Sequence, residues 1–360
     1  MLLPPIVLAF AVAAAGGWAY LRWAPRRAID VPNERSSHIR PTPRGGGLVI
    51  VLGFYAGLAL WLGNGGSLSP RALGWLAGAL LVAGVSFADD LHSLPAAPRL
   101  LTHLGGAVLL TFAGVQLGEP TAIVALLVAF VYVIVLTNVY NFMDGVDGLA
   151  AAQAIIAGAA LALAGVLVSN PLVSIAGGLL SASSLGFAIY NIPPARMFMG
   201  DVGSTFLGFS FAGVSLLANI GVGGGRLPIE FGLILFAPFL FDSLVTLSRR
   251  VLRGERWYAA HRSHYYQRLV RRGISHGQVT CLYAGLGVVA ASAALAGLYA
   301  EERVRVLLAL VAYAPMLGVV ALVCRLEQPN LESNVVKEEL DSQNAQVRKQ
   351  RSDVKTSQLR

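Results

Sequence analysis

Long stretches without a charged residue dominate the chain. No Asp, Glu, Lys or Arg occurs in residues 1–21, 45–70, 72–88, 120–143, 148–195, 202–225 or 306–324. A helix needs about 20 apolar residues to cross the hydrocarbon core of a bilayer. Each stretch is close to that length or longer, and the longest has room for two helices around the turn Ser169-Asn170-Pro171. The pattern therefore predicts a membrane protein built from helices.

We predict an all-α, polytopic fold with about eleven transmembrane helices. The spans cover residues 2–21, 46–63, 72–88, 100–117, 120–137, 148–168, 172–190, 204–220, 228–248, 279–299 and 305–324. The composition agrees, because 56% of the residues are hydrophobic and only 13% are charged. Ordinary soluble domains contain about a quarter charged residues.

The distribution of basic residues predicts the orientation. With the N-terminus outside, the cytoplasmic segments would be 22–45, 89–99, 138–147, 191–203, 249–278 and 325–360, and they hold 23 of the 27 Lys and Arg residues. Positive residues concentrate on the cytoplasmic side of membrane proteins. We therefore expect a bacterial inner-membrane protein with a periplasmic N-terminus and a cytoplasmic C-terminus. This placement accounts for the net charge of +8 without nucleic acid as a partner.

Two parts of the chain are distinguished by composition. Residues 1–325 form the predicted membrane domain. Residues 326–360 form a polar tail rich in Gln, Ser, Lys and Glu, a composition that favours disorder.

The polar clusters all follow odd-numbered spans, which places them on the cytoplasmic side. The first cluster, Asp89-Asp90, ends the third span. Adjacent carboxylates repel each other unless a cation or a basic side chain offsets their charge. One interpretation is a metal or phosphate site, and the alternative is an interfacial pair in water.

The second cluster follows the fifth span and repeats a polar residue every third position. Its members are Asn138, Asn141, Asp144 and Asp147. In a regular helix this spacing rotates by about 60° per step, so the four cannot share one narrow face. Gly145 and Gly148 favour a loosened helix end. Oxygen ligands of this kind suit Mg²⁺, whereas a simple helix cap at Asp147 leaves the other three unexplained.

The third cluster, Gly200-Asp201-Val202-Gly203, precedes the eighth span. Asp201 could cap that helix. Alternatively, Gly200 and Gly203 could allow the backbone to approach a phosphate at a helix N-terminus.

The fourth cluster lies in the basic loop 249–278 and contains His261, Arg262 and His264. Arg binds phosphate oxygens in a bidentate manner, so this loop suits a diphosphate. A zinc site is the rival use of His-x-x-His, but no Cys or Glu completes it nearby. Arg44, in a Gly-rich first loop, could contact an anionic head group or a phosphate. Asp242, about two turns inside the ninth span, is expected to pair with a basic residue or to support the site.

Taken together, these motifs resemble those of the polyprenyl-phosphate N-acetylhexosamine-1-phosphate transferases, a superfamily within glycosyltransferase family 4. The resemblance covers about residues 20–325. The peptidoglycan member of the superfamily has adjacent histidines in the fourth motif, whereas this chain has His261-Arg-Ser-His264. That form, with the segments 33–38 and 41–47, is similar to the enzymes that begin O-antigen or capsule synthesis.

The resemblance implies a reaction in which a UDP-N-acetylhexosamine and undecaprenyl phosphate give undecaprenyl-diphospho-N-acetylhexosamine and UMP. It also implies Mg²⁺, with Mn²⁺ as the alternative. A phosphotransferase of peptidoglycan synthesis is the alternative within the superfamily. An ion-coupled transporter is the alternative from another class, and its acids should lie near the bilayer midplane. The identity of the hexosamine and a homodimeric state stay open.

Roles for individual residues follow from the same resemblance. Asp201 would bind Mg²⁺, assisted by Asp144 or Asp147. Asp89 would hold or deprotonate the lipid phosphate, and Asp90 would support the metal or the substrate. The remaining candidates would bind or orient the substrate, namely Asn138, Asn141, Arg44, Gly200, Gly203, His261, Arg262 and His264.

Overall fold

The computed structural model describes residues 2–23, 28–30, 41–92, 94–112, 122–256 and 261–328. Fourteen α-helices and one 3-10 helix, Gly297–Tyr299, occur in these ranges. The α-helices are α1 Leu3–Trp23, α2 Leu48–Gly63, α3 Pro70–His92, α4 Ala96–Phe112, α5 Ala122–Phe142, α6 Leu149–Leu167, α7 Pro171–Asn191, α8 Gly200–Asn219, α9 Glu230–Leu235, α10 Ala237–Leu252, α11 Tyr265–Arg271, α12 His276–Ala296, α13 Glu302–Tyr313 and α14 Pro315–Glu327. A two-residue antiparallel ribbon pairs β1 Ile29–Asp30 with β2 Thr42–Pro43. The mostly helical class predicted from the sequence is confirmed.

Residues Met1–Gly318 form one compact unit, and a second unit begins at Val319. Nearly all of the predicted tail 326–360, and the segment 33–38, lie outside the described residues. The predicted boundary at residue 325 stays a prediction.

Eight helices in the described ranges are long and apolar enough to cross a membrane. They correspond to α1, α3, α5, α6, α7, α8, the segment His276–Tyr299 and the segment Glu302–Glu327. The predicted spans 46–63 and 100–117 match the shorter apolar helices Leu48–Gly63 and Leu101–Leu110. The protein is therefore a polytopic membrane protein, while the count of eleven stays a prediction.

Two predicted spans are interrupted. The span 228–248 divides at Phe236 into α9 and α10, and the span 305–324 divides at Ala314 into α13 and α14. Proline has no N–H to donate within a helix, and its ring clashes with the carbonyl four residues earlier. Pro238 and Pro315 lie at the starts of α10 and α14, so they account for both interruptions.

The helices that carry the polar clusters pack directly against one another. Helix α8 contacts both α3 and α5. The Thr205 hydroxyl of α8 donates to the Ser86 hydroxyl of α3 at 2.9 Å. A Cβ added to Gly208 would lie 2.8 Å from the Thr137 Cα of α5, so the α5 and α8 backbones are close together. This packing brings the C-terminal ends of α3 and α5 to the N-terminal end of α8.

Candidate active site

Asp90 lies where three segments meet. Its side chain is buried, and Oδ1 accepts hydrogen bonds from Arg44 Nε at 3.0 Å and Nη2 at 2.7 Å. Oδ1 also accepts from the Asp201 amide, and Oδ2 accepts from the Val202 amide, both at 3.0 Å. A carboxylate at a helix N-terminus satisfies exposed amides and interacts favourably with the helix dipole. Asp90 therefore caps α8 and holds Arg44 beside it.

These contacts correct two expectations about the third motif. The cap considered for Asp201 is supplied from another helix by Asp90, which binds the amides of Asp201 and Val202. The α8 amides expected to face a phosphate donate to that carboxylate instead. Gly200 has φ +73°, and a Cβ there would lie 2.6 Å from Asp90 Oδ2, so glycine is required for the carboxylate to approach.

Gly203 serves close packing against the first loop. A Cβ on Gly203 would lie 2.7 Å from the Gly47 Cα. The neighbouring backbone is paired: the Gly46 amide donates to the Phe198 carbonyl at 2.9 Å, and the Phe198 amide donates to the Pro43 carbonyl at 2.8 Å. Residues 43–47 are thus fixed on the segment that precedes α8, which keeps Arg44 at the site.

Asn141 orients the Asp201 carboxylate. Asn141 Nδ2 donates to Asp201 Oδ1 and to the Ser204 hydroxyl, both at 3.0 Å. Asn138, one turn earlier on α5, donates to the Ile134 carbonyl of its own helix at 2.8 Å. The side-chain amide of Asn141 therefore contacts another predicted site residue, Asp201, whereas that of Asn138 contacts its own helix.

Asp144 is half-buried in a concentration of negative charge. Its carboxyl pKa is raised well above the usual value, first by removal from water and then by the charges of Asp201, Asp90 and Asp147. The Arg44 guanidinium opposes this increase. Like charges that raise one another's pKa are favourable only with a compensating cation. The acids of three separate motifs therefore converge, as the sequence predicted.

This charge distribution fits a divalent cation. If Asp90, Asp144 and Asp201 are all ionised, their three carboxylates are accompanied by one guanidinium, so about two negative charges would need a cation beside them. Among the described residues, no three His, Cys, Asp or Glu side chains are grouped to hold a metal by themselves. Mg²⁺ is commonly held by one or two carboxylates together with substrate phosphates and water, and Asp144 and Asp201 fit that use.

Asp147 is engaged in structural contacts. Its Oδ1 lies 3.2 Å from His276 Nδ1, and its Oδ2 accepts from the Ala195 amide at 3.0 Å. Its carbonyl accepts from the Thr280 hydroxyl at 2.7 Å. These contacts connect the turn after α5 to the segment between α7 and α8 and to α12. They favour a positioning role, and the metal role of Asp147 stays a prediction.

Asp89 is buried at the end of α3, and its Oδ1 accepts from the Leu94 amide at 2.5 Å. This bond fixes the chain as it leaves α3. The predicted role of Asp89 at the lipid phosphate stays a prediction.

The fourth motif is assembled on Asp242. Asp242 Oδ1 lies 3.3 Å from His264 Nδ1 and accepts from the Tyr265 amide at 2.9 Å. The expectation that Asp242 pairs with a basic residue is therefore confirmed. The His261 ring lies over the His264 ring, with 5.0 Å between centroids. Burial lowers the pKa of the half-buried His261 to about 4, helped by the positive charges of His264 and Arg250.

The fourth motif is joined to the second through a residue that sequence reasoning missed. The Tyr266 hydroxyl donates to the Phe142 carbonyl at 2.8 Å, immediately before the turn that carries Asp144. His276, which pairs with Asp147, was also missed. No spacing in the sequence marks either contact, because both join segments more than 120 residues apart.

Fold and site together define a polytopic membrane protein whose acidic, amide and basic motifs converge at one end of its helices. Comparisons with known proteins agree with this class. Residues 72–219 match the family described as glycosyl transferase family 4. The chain is 32% identical over 262 residues to the "Probable undecaprenyl-phosphate N-acetylglucosaminyl 1-phosphate transferase" of Bacillus subtilis, a match that covers 69% of this chain and 71% of the relative. The chain belongs to glycosyl transferase family 4, which confirms the resemblance inferred from the motifs.

Two further relatives have related names. The chain is 29% identical over 305 residues to the "Decaprenyl-phosphate N-acetylglucosaminephosphotransferase" of Mycobacterium leprae, covering 74% of this chain and 76% of the relative. It is 29% identical over 273 residues to the "Phospho-N-acetylmuramoyl-pentapeptide-transferase" of Lactiplantibacillus plantarum, covering 69% and 82%. The protein is thus similar to phosphotransferases named for a polyprenyl phosphate or for a peptidoglycan precursor.

Proposed function

We propose that the protein transfers N-acetylhexosamine 1-phosphate from a UDP-sugar to undecaprenyl phosphate, giving undecaprenyl-diphospho-N-acetylhexosamine and UMP. The observation that carries the proposal is the convergence of Asp144, Asp201 and the Asp90–Arg44 pair at one end of the helices. N-acetylglucosamine is the first sugar to test, because two of the relatives described above are named for it.

The reaction requires one anionic phosphate to attack another. Charge neutralisation and alignment of the reacting groups supply most of the catalysis in phosphoryl transfer. Asp144 and Asp201 would hold Mg²⁺ or Mn²⁺, which when bound supplies positive charge to the diphosphate oxygens. Asn141 keeps the Asp201 carboxylate oriented through the hydrogen bond from its Nδ2 to Asp201 Oδ1. Arg44 remains partly exposed beside Asp90, where it can attract a phosphate.

The fourth motif would receive the leaving UMP. His261 and Arg262 are only partly buried, and they lie in a loop with many arginines. Positive and hydrogen-bonding groups stabilise the negative charge that develops on a leaving phosphate. His261, held neutral at pH 7 by its surroundings, can take up a proton when a diphosphate arrives.

We further propose that the site faces the cytoplasm of a bacterial inner membrane, in a protein of eleven spans with a periplasmic N-terminus. The excess of basic residues in the segments on that side supports this orientation. Cysteines introduced at exposed positions near the site should be protected from an impermeant thiol reagent added to intact spheroplasts. Labelling from the periplasmic side would overturn the orientation.

The product would begin synthesis of a surface polysaccharide such as O-antigen, rather than peptidoglycan. The His-x-x-His form of the fourth motif supports this assignment. Purified protein should be offered UDP-N-acetylglucosamine, other UDP-N-acetylhexosamines and UDP-N-acetylmuramoyl-pentapeptide, with the lipid product identified by mass spectrometry. Formation of the pentapeptide product alone would favour the peptidoglycan reaction.

The reaction itself is tested with Asp201→Ala in purified enzyme and a radiolabelled UDP-sugar. We expect the loss of lipid-linked product and of UMP release. Glu302→Gln, an exposed substitution at the start of α13, is the matched control and should leave the rate unchanged. Normal product formation by Asp201→Ala would refute the role of Asp201.

A further inference from the structure

Asp242 is a fully enclosed carboxylate next to the fourth motif. Its side chain is 0% exposed. A buried carboxylate is costly unless several donors bind it. Asp242 has such donors: Oδ2 accepts from the Tyr266 amide at 3.1 Å and from the Tyr283 hydroxyl at 2.5 Å. Oδ1 accepts from the Tyr265 amide and lies within reach of the Thr246 hydroxyl, at 2.9 and 3.3 Å.

The same carboxylate orients the His264 ring and favours one of its tautomers. Both Asp242 oxygens accept hydrogen bonds from their other partners, so the Oδ1 contact at 3.3 Å fits a His264 tautomer with its proton on Nδ1. The second partner of a histidine fixes both its tautomer and the orientation of its ring. His264 is only 3% exposed and packs between aromatic neighbours, with the Phe142 ring centroid at 6.0 Å and that of Tyr266 at 5.8 Å.

The two histidines of the motif therefore have different surroundings. His264 is buried on Asp242, whereas His261 is half-buried and lies over the His264 ring, with an angle of 33° between the rings. His261 Nδ1 lies 2.9 Å from the Ser263 hydroxyl. A buried ring gives its neighbour a fixed support, and the partly exposed ring is the one that solvent and substrate can reach.

We infer that Asp242 is a positioning residue that gives the two histidines of the fourth motif different roles. Asp242 holds His264 in a fixed orientation, where it supports the His261 ring, and His261 is the histidine that contacts the diphosphate. The inference rests on the proposed function. It assigns different roles to two histidines that sequence reasoning treated alike. Asp242 also binds the Tyr266 amide, and the Tyr266 hydroxyl reaches the Phe142 carbonyl, so the same carboxylate places the motif relative to Asp144.

Two substitutions at His264 separate support from substrate contact. Asparagine places an N–H near the position of Nδ1 and can still donate to Asp242, whereas glutamine places its N–H near the position of Nε2. If His264 is a support held by Asp242, His264→Asn should keep most of the kcat and His264→Gln should lose at least about tenfold. Displacement of a catalytic group by about 1 Å can cost on the order of 100-fold.

A double-mutant cycle tests whether Asp242 acts through the histidines. We expect Asp242→Asn to lower kcat by at least about tenfold in the wild-type background. When His261→Gln is already present, Asp242→Asn should lower kcat little further, because the effects of two residues that act on one interaction are not additive. Ser243→Ala, at the residue next to Asp242, is the matched control. The Ser243 hydroxyl is buried and has no hydrogen-bond partner among the described residues, so its removal should leave the rate unchanged. Thermal unfolding in detergent identifies variants that fail to fold.

The outcomes distinguish the two proposals. Higher activity in His264→Gln than in His264→Asn, or fully additive losses from Asp242→Asn and His261→Gln, would overturn the division of roles while leaving the reaction intact. Calorimetric titration with UMP gives a second readout, in which His261→Gln weakens binding and His264→Asn does not. If the wild-type protein neither releases UMP nor binds it, the proposed function and this inference both fail.

Discussion

Gly145 lies at the point where the fourth motif touches the second. A Cβ added there would overlap the Tyr266 hydroxyl, far inside the 3.4 Å at which ordinary contacts begin. The Tyr266 ring is buried and cannot swing away freely. In Gly145→Ala the ring must therefore move by about 1 Å or more, which breaks its hydrogen bond to the Phe142 carbonyl.

The expected cost follows from these contacts. Loss of a hydrogen bond costs about 1 kcal/mol, and overpacking of a well-filled site costs about 1–3 kcal/mol. Alanine also makes the unfolded chain less flexible than glycine does, which raises the free energy of unfolding by about 0.4–1 kcal/mol. We expect Gly145→Ala to lower the free energy of unfolding by about 1–3 kcal/mol. Its activity should fall by on the order of 100-fold, because Asp144 and the histidines no longer align.

The assay measures UMP release and thermal unfolding for five purified proteins: the wild type, Gly145→Ala, Tyr266→Phe, the double variant of these two and a control. Tyr266→Phe removes the hydroxyl that an alanine at position 145 would strike, so the double variant Gly145→Ala/Tyr266→Phe should be more active than Gly145→Ala alone. Gly285→Ala, where an added Cβ meets nothing within 4 Å, controls for the substitution itself. Wild-type activity in Gly145→Ala, or no recovery in the double variant, would refute the steric reasoning.

Three further predictions concern charge. Arg44→Gln removes the guanidinium from a buried carboxylate, so UMP release should fall at least about tenfold, whereas Arg303→Gln at an exposed position should change nothing. The pKa of His261 is lowered to about 4, so its neutral form contributes stability that is complete above pH 6.5 and is lost as the pH falls through 4. His261→Gln should therefore make the melting temperature depend less on pH between about 4 and 6.5. An unchanged pH dependence in this variant would exclude His261 as the cause of the loss of stability. Chelation with EDTA should abolish UMP release and added Mg²⁺ should restore it, while activity that survives exhaustive chelation would contradict the metal role of Asp144 and Asp201.

The sequence predicted the class of fold because lipid imposes a strong constraint: apolar runs near 20 residues have few alternatives to a membrane helix. It missed the interruption at Phe236, although Pro238 was a visible signal of a broken helix. The convergence of Asp90, Asp144 and Asp201 was also predictable, because an even number of predicted spans separates each acid from the next and places all three on the same predicted side of the membrane. Order along the chain and span parity were sufficient for that inference.

The partners of each acid were not predictable in the same way. Asp90 looked equivalent to Asp89 in the sequence, yet Asp90 caps α8 while Asp89 binds the amide of Leu94. Adjacent residues on a helix point about 100° apart, so tertiary packing decides which of them meets α8. The same holds for His264, whose burial on Asp242 joins two segments that are 22 residues apart and that no spacing in the sequence connects.

The capping of α8 by Asp90 has a consequence for biosynthesis. Asp90 leaves the ribosome more than 100 residues before the amides of Asp201 and Val202 that it will bind. Of the three partners described above, only Arg44 precedes Asp90 in the sequence, so the other two are missing until α8 has been made. The end of the helices that carries the candidate site is therefore completed only after residue 202 has been made, and chains that stop before residue 200 should lack both of these contacts to Asp90.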